Sequence, residues 1–165
     1  MLRRLALLAG LILGIGFSVL PAHAQDQVQI FGGYSYMHMD DAPQATNLNG
    51  WEISGQYKLA PWVGGVADFD GHYGGGVDTH TFLFGPQVSW PARVSPFAHL
   101  LLGGAHTSFE GFGNTSFSLA LGAGIDSEIV HGVYWRVFQA DYIPTYFFNQ
   151  TQHNVRISTG IVIHF

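Results

Sequence analysis

The chain has no cysteine among its 165 residues. That excludes a disulfide framework, a thiolate metal centre and a lipid carried on an N-terminal cysteine. Charge is also scarce: 10% of residues are charged, against about 25% in ordinary soluble domains, which points to a surface that largely avoids water. The basic residues are fewest, six Lys and Arg against 11 Asp and Glu, so the chain is not built to neutralise nucleic-acid phosphates. Beyond residue 24, no apolar spacing of i, i+3, i+4 and i+7 persists over a helical length, so a bundle of membrane helices is not expected.

What is plentiful is glycine, with 22 residues, and aromatic side chains, at 15%. The N-terminus accounts for part of the hydrophobicity. Met1-Leu2-Arg3-Arg4 is basic, Leu5 to Leu20 is apolar, and Ala22 and Ala24 form an A-x-A cleavage signal before Gln25. This is the three-part layout of a secretory signal peptide, and the apolar run is short of the ~20 residues that span a bilayer as a helix. We therefore assign 1–24 to a signal peptide and 25–165 to one domain. Its removal leaves four basic residues against 11 acidic ones, a formal charge of −7.

The remaining chain reads as alternating runs separated by Gly, Pro, Asn and Asp clusters. Eight are predicted, at about 27–39, 48–60, 62–73, 77–90, 95–109, 115–129, 133–146 and 152–165. In the second, Trp51, Ile53, Gly55, Tyr57 and Leu59 alternate with Glu52, Ser54, Gln56 and Lys58. Each run reaches or exceeds the roughly 9–11 residues of a tilted membrane-spanning strand. Tight turns are expected at Ala60-Pro61, Pro91–Val94 and His131-Gly132, and longer polar loops around 40–47, 71–78, 110–114 and 147–150.

Short turns on one rim, longer loops on the other and an even strand count make an all-β, eight-stranded antiparallel up-and-down transmembrane barrel the expected fold. A soluble lipocalin-like barrel, with its apolar face inward around a small ligand, is the alternative. Aromatics near the predicted strand ends favour the membrane form, as interfacial girdles would. They are Tyr34, Tyr36, Trp51, Tyr57, Trp62, Tyr73, Trp90, Phe109, Trp135, Tyr142 and Tyr146.

The last run ends on Phe165 with Ile163, Ile161 and Ile157 at alternate positions before it, Thr159 departing mildly from the pattern. This ending resembles the C-terminal assembly signal of bacterial outer-membrane proteins. With it, residues 27–165 look like the small outer-membrane β-barrel family, similar to the membrane domain of outer membrane protein A. The resemblance lies in architecture more than in a diagnostic motif, and the chain stops without the peptidoglycan-binding domain of that protein. It implies an outer-membrane location after export through the periplasm, contact with outer-membrane lipid and lipopolysaccharide, and handling by periplasmic chaperones and the barrel-assembly machinery, which would read Ile157, Ile161, Ile163 and Phe165.

If the apolar parity faces lipid, the interior collects Glu52, Gln56, Lys58, Asp68, Asp70, Asp126, Glu128 and Arg156. An eight-stranded barrel has room for little beyond its own side chains, and buried charges require partners. A closed polar core is expected, in which Lys58 and Arg156 pair with several carboxylates. The excess of acids leaves a narrow cation-favouring or proton-conducting path as the alternative, hence a small porin or ion channel. Arg136 and Asp141 on the seventh run have opposite parity; a β-bulge between them would bring both inside, whereas without one a charge would sit near the headgroups. The fifth run is apolar on both faces.

Enzymatic chemistry has one candidate. His106, Ser108 and Glu110 lie on one side of a strand, where imidazole could activate a hydroxyl. The pair resembles the H-x-S element of lipid A deacylase barrels, although Phe109 stands where that family has Asn. The other histidines show no metal-ligand spacing, and Asp40, Asp41, Asp70, Asp78 and Glu110 read as a solvated acidic rim or as a holder of divalent cations. The Asn114 and Asn149 N-x-S/T matches matter only in a eukaryotic secretory pathway. No cofactor, no metal and no enzymatic activity are expected, and the function expected is a structural or membrane-interacting one.

Overall fold

In the computed structural model, the described residues are 27–40, 46–109, 112–147 and 150–165. The expected signal peptide with Ala22 and Ala24, and the acids Asp41 and Glu110, lie outside them. Eight strands follow one another: β1 Val28–Asp40, β2 Thr46–Ala60, β3 Val63–Gly74, β4 Val77–Ser89, β5 Val94–Phe109, β6 Phe112–Val130, β7 Val133–Phe147 and β8 Gln150–His164. Each pairs antiparallel with the next, and β1 pairs with β8, closing the sheet into a barrel. The ends are fastened at the tight-turn rim, where Val28 and Phe165 exchange backbone hydrogen bonds of 3.3 and 2.8 Å.

The alternation of side chains follows from the pleat, and the burial record shows which face is inside. Along β8, Asn154, Arg156, Ser158 and Val162 are buried while Val155, Ile157, Ile161, Ile163 and Phe165 are exposed. Along β2, Glu52 and Gln56 are buried between exposed Trp51, Ile53 and Tyr57. The barrel is thus polar within and apolar without, the reverse of a lipocalin. Such a belt of exposed Ile, Leu, Val and Phe has a favourable solvent only in hydrocarbon, and closure leaves no unpaired edge for that solvent to meet. Of the expected girdle aromatics, Tyr34, Trp51, Tyr57, Trp62, Tyr73, Trp90, Trp135 and Tyr142 are exposed and Tyr36 is half-buried. The side chains of Phe109 and Tyr146 fall outside the description.

The fold departs from the expectation at three places, and on β7 it contains the bulge that the parity of Arg136 and Asp141 called for. The long loop expected at 71–78 is absent: β3 and β4 run on to Gly74 and Val77, and Gly75 and Gly76 close the hairpin with φ of 60° and 80°. A two-residue turn with both central residues at positive φ suits strand twist and favours Gly at both positions. On β7, the register shifts by one residue between Arg136 and Gln139, and Val137 and Phe138 both face outward. This bulge returns Arg136 and Asp141 to the same interior. A second shift, between Glu128 and Val130, takes the end of β6 out of strict alternation. Finally, the interior is not polar throughout. Met37, Met39, Leu48, Val66, Leu83, Leu101, Ala120 and Ile143 form a buried apolar cluster, and Leu101 within it explains why β5 is apolar on both faces.

Candidate functional site

Two guanidinium groups organise the interior. Arg156, on β8, is fully buried and gathers carboxylates from three strands. Its Nη1 donates to Asp68 Oδ1 at 2.8 Å and to Asp70 Oδ2, both on β3. Its Nε donates to Asp141 Oδ2 on β7 at 2.8 Å. Glu52 Oε2 on β2 lies 3.5 Å from the same Nε, while Nη2 is 2.8 Å from Asp141 Oδ2. The planar fork of arginine, with five donors, suits a site of this kind better than a point-charge ammonium would.

Arg136 forms the second centre. It binds Asp126 through Nε and Nη2 at 2.8 and 3.0 Å, a two-pronged contact. Its guanidinium lies between the rings of Phe31 and Phe97, 4.3 and 4.2 Å from their centroids, so both faces of the cation meet aromatic π-density. Nη1 donates to Gln139 Oε1 at 2.7 Å. Gln139 in turn donates to Glu52 at 2.9 Å and Asp141 at 2.8 Å, joining the two centres.

Histidine, serine and glutamine side chains extend the network. His72 contacts Asp70 at 3.0 Å and Ser35 at 2.9 Å. Ser35 contacts Ser158 at 2.9 Å, and Ser158 donates to Glu52 at 2.5 Å. His99 meets Asp141 at 2.6 Å, and Gln87 donates to Gln56 at 3.0 Å. Inward-facing glycines make the space: a Cβ on Gly122 would stand 1.7 Å from Asp141 Oδ1.

Of the residues expected in the interior, Glu52, Gln56, Asp68, Asp70, Asp126, Arg136, Asp141 and Arg156 are therefore gathered there. Glu128 is not. The second bulge leaves it half-buried at the tight-turn rim, 3.9 Å from Arg93 and 4.0 Å from His131. Lys58 is half-buried at the same rim, near the end of β2. Asp70, also considered a rim acid, is fully buried. The network members that sequence reasoning missed are Ser35, His72, Gln87, His99, Gln139, Ser158 and the two stacking phenylalanines. A weak signal existed for some of them: His72 shares parity with Asp70, and Gln139 with Asp141.

Little space is left. One interior cavity, lined by Met37, Met39, Thr79, Thr81, Ala105, Thr107, Ile143, Thr145 and Asn154, is about 10 Å³. A second, beside Gln56, Gln87 and Arg136, is also about 10 Å³. Each is at the lower limit for one water. Among the described residues, no group of three or more His, Asp or Glu side chains is placed to hold a metal ion. The candidate His106–Ser108 pair lies on the outer face: Ser108 Oγ is 3.3 Å from His106 Nε2, and His106 Nδ1 faces Thr115 Oγ1 at 2.7 Å. Glu110, the third member of that candidate, is outside the described residues.

A closed eight-stranded antiparallel barrel, apolar outside and charged within, has the architecture of the small outer-membrane β-barrels, and this chain has that fold. Among solved structures, it is similar to Neisserial surface protein A, at 14% identity over 84% of this chain and 97% of that one, with a TM-score of 0.66. It is also similar to Ail, the attachment invasion locus protein of Yersinia pestis, at 18% identity over 84% and 99% of the two chains, TM-score 0.56. The N-terminal β-barrel domain of Pseudomonas aeruginosa OprF matches at 12% identity over 86% and 99%, TM-score 0.55. No family model matches the chain, and no curated protein does.

Proposed function

We propose that the protein is an integral bacterial outer-membrane barrel with a structural or membrane-interacting role, closed to solutes and without catalytic activity. The interior carries the reading: five buried carboxylates held by Arg156 and Arg136, together with interior cavities of only about 10 Å³, favour a plugged barrel over an aqueous path. The apolar belt and the fold shared with outer-membrane barrels support the location. On this reading residues 1–24 are an export signal. Ile157, Ile161, Ile163 and Phe165, all exposed on the last strand, are the face offered to chaperones and the assembly machinery. Ail, a fold relative, has been solved with the heparin analogue sucrose octasulfate; the partners proposed here are the surrounding lipid and lipopolysaccharide.

The test is conductance. Purified protein in planar bilayers should give no stable single-channel steps, and regular steps that change in an Arg156→Met variant would establish the small-porin alternative instead. For the enzyme alternative, Ser108→Ala should leave the lipid A profile of expressing cells unaltered. A change in lipid A that depends on Ser108 would contradict the non-enzymatic reading.

A further inference from the structure

Four histidines on the outside of the barrel take no part in the interior network, and each lies two or three residues from the loop-rim end of its strand. His38 stands two residues before the end of β1, His80 three after the start of β4, His106 three before the end of β5 and His153 three after the start of β8. Each hairpin closing at the loop rim therefore carries one. All four face outward, next to buried Met37, Thr79, Ala105 and Asn154 respectively.

Strand register sorts them into two pairs on opposite sides of the barrel. At the β4–β5 seam, His80 lies directly across from His106. At the β1–β8 seam, His153 lies across from Asp40, while His38 is two residues further along β1, a diagonal neighbour. Each seam contributes one outward acid to its pair, Asp78 at the β4–β5 seam and Asp40 at the β1–β8 seam. Asp78 sits opposite Ser108.

The rings are held against the wall. His38 Nδ1 is 2.7 Å from Asn47 Oδ1, His153 Nδ1 contacts the Tyr142 hydroxyl, and His106 is held by Thr115 and Ser108. His80 stacks on Phe69 at 6.4 Å and meets the edge of Tyr73 at 5.6 Å, and its Nδ1 has no hydrogen-bond partner. Further down the wall, the outward positions turn to Tyr34, Phe82, Phe117 and Ile157. The histidines thus stand where the aromatic belt gives way to headgroups.

No other cation is available at this height. After residue 24 the basic residues are Lys58, Arg93, Arg136 and Arg156. The first two are at the tight-turn rim and the last two are inside. Among the described residues, imidazole is the one group on the loop-side wall that can become positive. The titratable groups facing the pairs, among the described residues, are Asp40 and Tyr142 at one seam, Asp78 and Tyr73 at the other.

We propose that the two pairs, His38 with His153 and His80 with His106, are proton-gated sites for the phosphate of anionic lipid headgroups in the outer leaflet. This rests on the outer-membrane reading above. With neutral rings, a pair and its aspartate carry −1 and repel a headgroup phosphate. With both rings protonated, +2 against −1 gives +1, and the imidazolium N–H groups donate charge-assisted hydrogen bonds to phosphate oxygens.

The experiment measures spin-labelled phosphatidylglycerol and phosphatidylcholine at the boundary of the barrel reconstituted in phosphatidylcholine vesicles, at pH 8 and pH 5. Preference for phosphatidylglycerol should rise roughly fivefold at pH 5. The rise should halve in H38Q/H153Q and in H80Q/H106Q and vanish in the quadruple variant, with glutamine preserving size and hydrogen bonding. An unchanged rise in the quadruple variant, or no rise in the parent, would overturn the proposal while leaving the inserted barrel intact; failure to insert would overturn the membrane reading with it. Two arms separate the other ligands. If inorganic phosphate at millimolar concentration abolishes the preference, the sites are for free phosphate and the headgroup assignment fails. If zinc shifts the histidine resonances at pH 8 in neutral lipid, the pairs are metal sites and it fails likewise.

Discussion

Replacing Arg156 with Met would leave Glu52, Asp68, Asp70 and Asp141 buried around a vanished cation. Breaking a buried ion pair from one side costs about 3–5 kcal/mol, so the urea midpoint of the barrel in vesicles should fall steeply. An unchanged midpoint would show that the network does not hold the fold. Arg136→Lys should also be destabilising, by about 1–3 kcal/mol, because a single ammonium cannot reproduce the two-pronged contact with Asp126 while lying between Phe31 and Phe97. At Gly122 even one methyl group is too many. Its Cβ would sit 1.7 Å from Asp141 and 2.5 Å from His99 Nε2, so Gly122→Ala should lower stability where an outward glycine such as Gly55, with nothing within 4 Å, tolerates Ala. The charged members of this site were legible because an acid or a base in an alternating strand must choose a face. Ser35, Gln139 and Ser158 were not, because a neutral polar residue is at home on either face near a rim, and only the folded register shows Gln139 bridging Glu52 and Asp141.

At the scale of the strand, β7 combines legibility and its failure. The opposite parity of Arg136 and Asp141 raises the need for an extra residue, and the bulge at Val137–Phe138 supplies it. Deleting Val137 alone should remove the bulge and leave a regular strand with both charges inside, whereas deleting Val137 and Phe138 together puts Arg136 and Asp141 on opposite faces and forces one charge toward lipid, at about 2–4 kcal/mol if it lies near the midplane. The double deletion should therefore abolish the heat-modifiable form on gels while the single deletion keeps it, and the opposite pattern would contradict the bulge. Strands β2, β6 and β8 were readable because apolar and polar residues alternate over their length. β5 was not, since Leu101 and its buried neighbours make an apolar patch inside the barrel, and period alone cannot separate an apolar interior from a lipid face. The β3–β4 hairpin was misread for a different reason: its Gly-rich sequence resembles a loop, yet glycine at 75 and 76 is what permits a two-residue turn.

For the whole molecule, the polarity is inverted. Most of the charges among the described residues lie inside, and the outer wall between the two rims is left largely to apolar and aromatic side chains. Signal segment, strand count and terminal strand all point the same way, so the architecture was largely open to reading before any contact was known. The central claim is that this wall meets outer-membrane lipid. It is tested most directly by fractionating cells that express the full-length protein and running the membrane extract on a gel with and without heating, beside a parallel chain lacking Phe165. The account predicts recovery in the outer membrane, faster migration when unheated, and loss of that form without Phe165. A soluble periplasmic protein, indifferent to heating and to Phe165, would contradict it.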